Sequence, residues 1–151
     1  MLSETDPANA ETYAQNGEEM TAKLDELTAD LQTTLSPVQD KPFLVFHDAY
    51  QYFETAFGLN AVGAITLTPG VQPGAQRVRE IGEKISNAEA SCIFAEPQFE
   101  PKLVEVVTEG TDARAGVLDP LGADIAAGPD LYFELMRQNA QALADCLSAA
   151  S

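Results

Sequence analysis

Between Asp6 and Pro37 the apolar residues fall at Tyr13, Met20, Leu24, Leu27, Leu31 and Leu35, spaced by three, four or seven. That spacing predicts one long amphipathic helix with a narrow apolar stripe. Asp6-Pro7, a capping residue followed by proline, reads as its start, and Ser36-Pro37 as its end. A helix of about 30 residues spans about 45 Å, far more than the radius of gyration of about 15 Å expected for a domain this size. Such a helix connects two bodies, supports a partner or lies across its own sheet.

From Pro42 the period changes. Phe43-Leu44-Val45-Phe46 is a continuous apolar run that ends on His47, the single histidine of the chain. A run of this kind predicts a strand buried on both faces, as in a parallel sheet. Asp48 is placed to cap the next helix, whose inner face would carry Tyr50, Tyr52, Phe53 and Phe57, and Gly58 would stop it. Further strands are expected over 59–65, 91–95 and 115–118, the last two ending at Glu96-Pro97 and Asp119-Pro120. A loop is expected over 66–74 and a helix over 75–88, with Val78, Ile81 and Ile85 inward. Another helix would carry Leu103, Val104, Val106 and Val107 as far as Gly110. After an exposed loop over 122–128, a last helix from about Pro129 would bury Leu131, Tyr132, Leu135, Met136, Leu143 and Leu147. The predicted fold is α/β: a four-stranded, mostly parallel sheet flanked by helices and preceded by one long amphipathic helix.

Charge narrows the possible roles. The formal net charge is -16, from 24 acidic against 8 basic residues. Such a field repels phosphate backbones and anionic lipid, which argues against nucleic-acid and membrane-surface partners. The first residues, Met1-Leu2-Ser3-Glu4-Thr5-Asp6, lack the basic and apolar regions of a signal peptide. The expectation is a cytoplasmic protein, or one whose beginning has been removed.

Three predicted strands finish on residues able to bind a metal: His47, Glu96 and Asp119. Strand ends of a parallel sheet lie along one edge, so the three should converge in one crevice. One imidazole with two carboxylates suits zinc, manganese or iron. The plainer reading is that the acidic residues cap helices, or that Glu96 is neutral or pairs with Arg77 or Arg79. A zinc site usually takes four ligands, so some would have to come from elsewhere. Cys92 and Cys146 fit either a disulfide between sheet and last helix or two buried thiols. Catalytic signals are sparse, with no Gly-rich phosphate loop and no second histidine to activate a nucleophile. The enzyme alternative is a small α/β domain using Glu96 and Asp119 as an acid/base couple.

Four collinear motifs carry a family resemblance: Phe46-His47-Asp48-Ala49-Tyr50-Gln51-Tyr52-Phe53-Glu54, Gln72-Pro73-Gly74-Ala75-Gln76-Arg77, Phe94-Ala95-Glu96-Pro97-Gln98-Phe99 and Leu118-Asp119-Pro120-Leu121-Gly122. Together they resemble the carboxyl-terminal lobe of the zinc-binding, solute-binding protein of ABC-type zinc importers, from about residue 5 to the end. The resemblance implies a periplasmic or cell-surface protein of two α/β lobes joined by one rigid helix. Such a protein holds Zn2+ between the lobes and delivers it to a membrane permease; it is not an enzyme. Residues 1–36 would be the connecting helix and 37–151 the carboxyl-terminal lobe. His47 falls on the histidine this lobe contributes. Asp119 falls on an aspartate that is a ligand in manganese and zinc/manganese relatives, so Mn2+ is an alternative cargo, and Glu96 remains a further candidate ligand. Cys92 and Cys146 match a disulfide of zinc-specific members. The amino-terminal lobe with its histidines, the His- and acid-rich loop and the signal peptide are not found in the sequence. The chain is therefore expected to carry only part of the zinc site, and its uncovered helix stripe could pair two copies. The rival expectation is a metal-free structural or interaction fragment.

Overall fold

A computed structural model of the chain describes residues 1–66, 74–87, 89–99, 102–109 and 111–149. Among them a parallel four-stranded sheet is built from β1 (Phe43–His47), β2 (Ala61–Thr66), β3 (Cys92–Ala95) and β4 (Arg114–Val117), in the spatial order β2-β1-β3-β4. The helices are α1 (Leu2–Thr5), α2 (Ala10–Leu35), α3 (Gln51–Phe57), α4 (Ala75–Asn87), α5 (Lys102–Thr108) and α6 (Leu131–Ser148). The α/β class, the parallel sheet and the long leading helix agree with the sequence reading. Strand and helix ends move by a residue or two. Most of the loop expected over 66–74, and the Gly110 stop, lie outside the described residues.

The alternation of β1 explains its unbroken apolar run. Phe43 and Val45 enter one core with Leu27, Leu31 and Leu35 of α2, Phe57 of α3 and Leu143 and Leu147 of α6. Leu44 and Phe46 enter a second core on the other face, with Ile81 and Ile85 of α4 and Val104 and Val107 of α5. Each face of the sheet is thus covered by helices, which is why no polar position is tolerated along the strand. The same alternation runs through β3, with Cys92 and Phe94 in the first core and Ile93 in the second.

The leading helix departs from the single rod expected from Asp6. A short α1 and a tight turn at Pro7–Asn9 precede α2. Asp6 sits at the break, where its Oδ2 accepts hydrogen bonds from Asn9 Nδ2 (2.8 Å) and Tyr13 Oη (2.9 Å). Only the carboxyl-terminal part of the stripe is buried, at Leu27, Leu31 and Leu35. Met20 and Leu24 remain 47% and 37% exposed.

Several inward positions are corrected. Tyr52 is 90% exposed, because Phe53 and Phe57, one turn apart, define the inner face of the short α3. Val106 is exposed for the same reason, since Val104 and Val107 set the buried face of α5. Tyr132 is half exposed and Leu131 only partly buried; the buried stripe of α6 begins at Phe133. Asp48 does not cap α3, whose N-cap position is Tyr50. Gly58 does stop that helix, in the left-handed conformation at φ 64°.

Candidate metal centre

The strand order places a topological switch between β1 and β3. The chain leaves β1 for β2 on one side and returns to β3 on the other. In open α/β sheets ligands bind outside the carboxyl ends of the strands at such a point. His47 ends β1, and Glu96 follows β3.

Register brings the two together. Phe43 pairs with Cys92 and Leu44 with Ile93, and continuing that register sets His47 beside Glu96 on one face. Their side chains meet, His47 Nδ1 to Glu96 Oε1 at 2.5 Å, with the imidazole 24% exposed and the carboxylate 1%. Phe99 adds an edge contact to the imidazole at 6.3 Å between ring centres and stacks on Phe46 at 4.6 Å. Glu96 therefore pairs with the histidine, and with no arginine among the described residues; the Arg77 side chain lies outside them. Burial raises the Glu96 carboxyl above its ordinary range, the His47 attraction opposes this, and the Asp119 charge adds to the rise.

Asp119 is near but one step out of phase. In β3 and β4, Ala95 pairs with Val117, and Leu118 N–H donates to Ala95 C=O at 2.9 Å. Asp119 thus falls past the residue opposite Glu96 and is taken up by the loop. Its Oδ1 accepts from Gln98 Nε2 (2.7 Å) and Leu121 N–H (2.9 Å), and its Oδ2 from Ala123 N–H (2.5 Å). Burial pushes the Asp119 carboxyl up, but these bonds, led by Leu121 N–H, outweigh it and hold the group below its ordinary value. Among the described residues no group of three His, Cys, Asp or Glu side chains stands close enough to hold a metal ion. Strand-end logic thus joins His47 to Glu96 and brings Asp119 within electrostatic reach of Glu96, without closing a three-ligand cage.

Two positioning residues escaped the sequence reading. Buried Asn139 on α6 clamps the Asp119 backbone, its Oδ1 accepting from Asp119 N–H (2.9 Å) and its Nδ2 donating to Asp119 C=O (2.7 Å). Gln98 holds the Asp119 carboxylate. The available signal for Asn139 was a lone amide in the buried stripe of α6, between Leu135 and Leu143.

Tyr50 lines an apolar groove of about 560 Å3 between α2, α3 and α6. Its phenol is pushed well above the ordinary value by burial first and then by the charges of Glu96 and Asp119. The folded chain therefore keeps this proton where the unfolded chain loses it, near pH 10. Stability from this group is present below that pH and declines as pH rises through it. Urea unfolding from pH 8 to 11 should show a steeper alkaline loss in the wild type than in Tyr50→Phe. Parallel curves would show that Tyr50 ionises as freely in the fold as outside it.

The Cys92–Cys146 disulfide joins the start of β3 to the last turn of α6. This agrees with the pairing implied by the family resemblance. Lys41 Nζ donates to Leu147 C=O at 2.9 Å and closes the same end of α6.

Comparison with known proteins places this geometry. The family model described as "Zinc-uptake complex component A periplasmic" matches residues 1–146. The high-affinity zinc uptake system protein ZnuA of Brucella suis is 55% identical over 147 residues, which are 97% of this chain and 44% of that protein. ZnuA of Yersinia pestis is 40% identical over 146 residues, 97% of this chain and 46% of that one. A crystal structure of ZnuA superposes with a TM-score of 0.80 at 28% identity, covering 97% of this chain and 52% of the other. A Zn(II)-bound variant of AdcAII from Streptococcus pneumoniae gives 0.76 at 30%, covering 97% and 53%. The chain thus spans a little under half the length of the curated relatives it matches. It belongs to the family of periplasmic zinc-uptake complex component A.

Proposed function

We propose that the chain is one wall of a two-walled zinc clamp: residues 1–36 form the connecting helix and 37–151 the carboxyl-terminal lobe of a periplasmic solute-binding protein. In this reading Zn2+ is captured between the lobes and passed to a membrane ABC permease. The supporting observation is His47, a lone, partly exposed imidazole at the switch point of a chain in a zinc-uptake family. An imidazole is a good zinc ligand and a poorer one for manganese, which favours Zn2+ as cargo.

Asp119 is the second proposed ligand. Its Oδ1 already accepts two hydrogen bonds, whereas Oδ2 accepts one from Ala123. The Gly122 N–H also reaches this carboxylate, so a metal at Oδ2 would take the place of a loop hydrogen bond. The amino-terminal lobe supplies the remaining ligands, because one imidazole and one carboxylate leave a zinc sphere half filled. The disulfide fits an oxidising compartment such as the periplasm. The role is that of a binding module rather than an enzyme: the Glu96 side chain is 1% exposed and already engaged by His47, which keeps it from a substrate.

The test is zinc affinity in the two-lobed protein, measured by competition with a chromogenic chelator. His47→Ala should weaken binding at least about tenfold, since a first ligand is worth no less than the tenfold or more lost with an outer partner. Unchanged affinity would remove His47 from the site.

A further inference from the structure

Among the described residues, Glu96 and Asn139 are the buried polar side chains. Asn139 is engaged at both ends of its amide by the Asp119 backbone. Glu96 is engaged on one side only. Its Oε1 meets His47 Nδ1, while its Oε2 is buried with no hydrogen-bond partner among the described residues. A carboxylate taken out of water needs compensation, and here the imidazole provides it. Phe99 braces the ring from another direction and is itself stacked on Phe46 of β1. The ring is thus restrained by a charged partner, an aromatic neighbour and its own strand.

We infer that Glu96 is a positioning residue: it accepts a hydrogen bond from Nδ1–H of His47, fixes the imidazole in that tautomer, and leaves the Nε2 lone pair for the metal. The inference rests on the reading of His47 as a zinc ligand, and it gives Glu96 a part other than that of a ligand. A neutral imidazole carries one ring proton, and whichever nitrogen holds it cannot bind a metal. Free imidazole side chains in water favour the proton on Nε2, the wrong arrangement for a ligand approached from that side. A carboxylate fixed at Nδ1 reverses the preference before the metal arrives and raises the basicity of Nε2 once it does. The register of β1 and β3 builds this contact into the sheet, so it needs no loop to close. As a direct ligand Glu96 would have to give up the His47 contact or admit the metal beneath the ring, where 1% of its side chain is exposed.

The test exploits the single histidine. In the 15N-labelled chain without zinc, long-range 1H–15N correlation of the imidazole reports one residue. At a pH where the ring is neutral, Nδ1 should appear protonated and Nε2 unprotonated, with the Nδ1–H form in roughly tenfold excess. Glu96→Gln retains an amide oxygen that can accept from Nδ1–H and should keep the pattern, whereas Glu96→Leu should invert it. A wild-type ring protonated on Nε2 would overturn the inference, since Glu96 would then be donating to Nδ1. So would a Glu96→Leu spectrum identical to wild type. Should Glu96→Leu fail to fold, the wild-type and Glu96→Gln spectra still decide. Adding zinc to the labelled two-lobed protein, where the other lobe supplies the remaining ligands, then separates the two readings at the assigned His47 ring. A displaced Nε2 resonance supports both; an unmoved one, with the Nδ1–H form intact, overturns the ligand role of His47 and leaves the tautomer control standing.

Discussion

Reducing the Cys92–Cys146 disulfide should cost about 4 kcal/mol of folding stability, the loop-closure value for residues 54 positions apart. For a domain of this size, whose whole margin is about 5–15 kcal/mol, that is a large fraction, and the melting temperature should fall by about 10 °C. The bond ties β3, which leads into Glu96, to α6, which carries Asn139. Reduction therefore loosens the attachment between the strand and the helix that position the two carboxylates. Thermal unfolding of wild type with and without reductant measures the effect, and the Cys92→Ser/Cys146→Ser pair separates it from chemistry at the thiols. Since both positions are buried, the double variant should be at least as unstable as the reduced wild type. A loss below about 1 kcal/mol would mean that the reduced chain keeps this region together without the bond.

The limits of the sequence have identifiable physical causes. Periodicity was enough for β1, because burial on both faces forbids polar residues and leaves an unbroken run. It was enough for Leu27, Leu31 and Leu35, where the helix rests on the sheet. At Met20 and Leu24 the stripe runs on uncovered, and periodicity marks an apolar face there without saying what covers it. It failed at Tyr52 and Val106, where a helix of two turns offers too few positions to define its inner face. At the site, strand ends pointed to His47, Glu96 and Asp119, and the structure sets the first two in contact. What they could not supply was register. The one-residue offset that sets His47 opposite Glu96, and sends Asp119 into a loop held by Gln98 and Asn139, depends on hydrogen bonding between strands distant in sequence. The family motifs located the histidine, but the contact made by its second nitrogen is a property of the fold.

The remaining large effect is expected at Phe94. This ring is fully buried on β3, meets Phe43 edge-on at 5.6 Å, and lies directly under Gly116 of the neighbouring strand. Phe94→Ala should destabilise the chain by about 3–5 kcal/mol, the transfer and cavity cost of a buried aromatic. Gly116 exists to admit that ring: a Cβ there would stand 2.5 Å from Phe94 Cε1. The crowded atom belongs to a side chain fixed in the core, so Gly116→Ala should cost about 1–3 kcal/mol through overpacking. The two costs are therefore not independent. In a Phe94→Leu background the ring edge is gone, and adding Gly116→Ala should cost much less than it does in wild type, a coupling of about 1 kcal/mol or more by denaturant unfolding of the four proteins. Equal costs in both backgrounds would show that Gly116 is required by the backbone of β4 rather than by the ring. In that event the spacing of β3 and β4, and with it the offset between Glu96 and Asp119, would be set by the strands themselves and not by what packs between them.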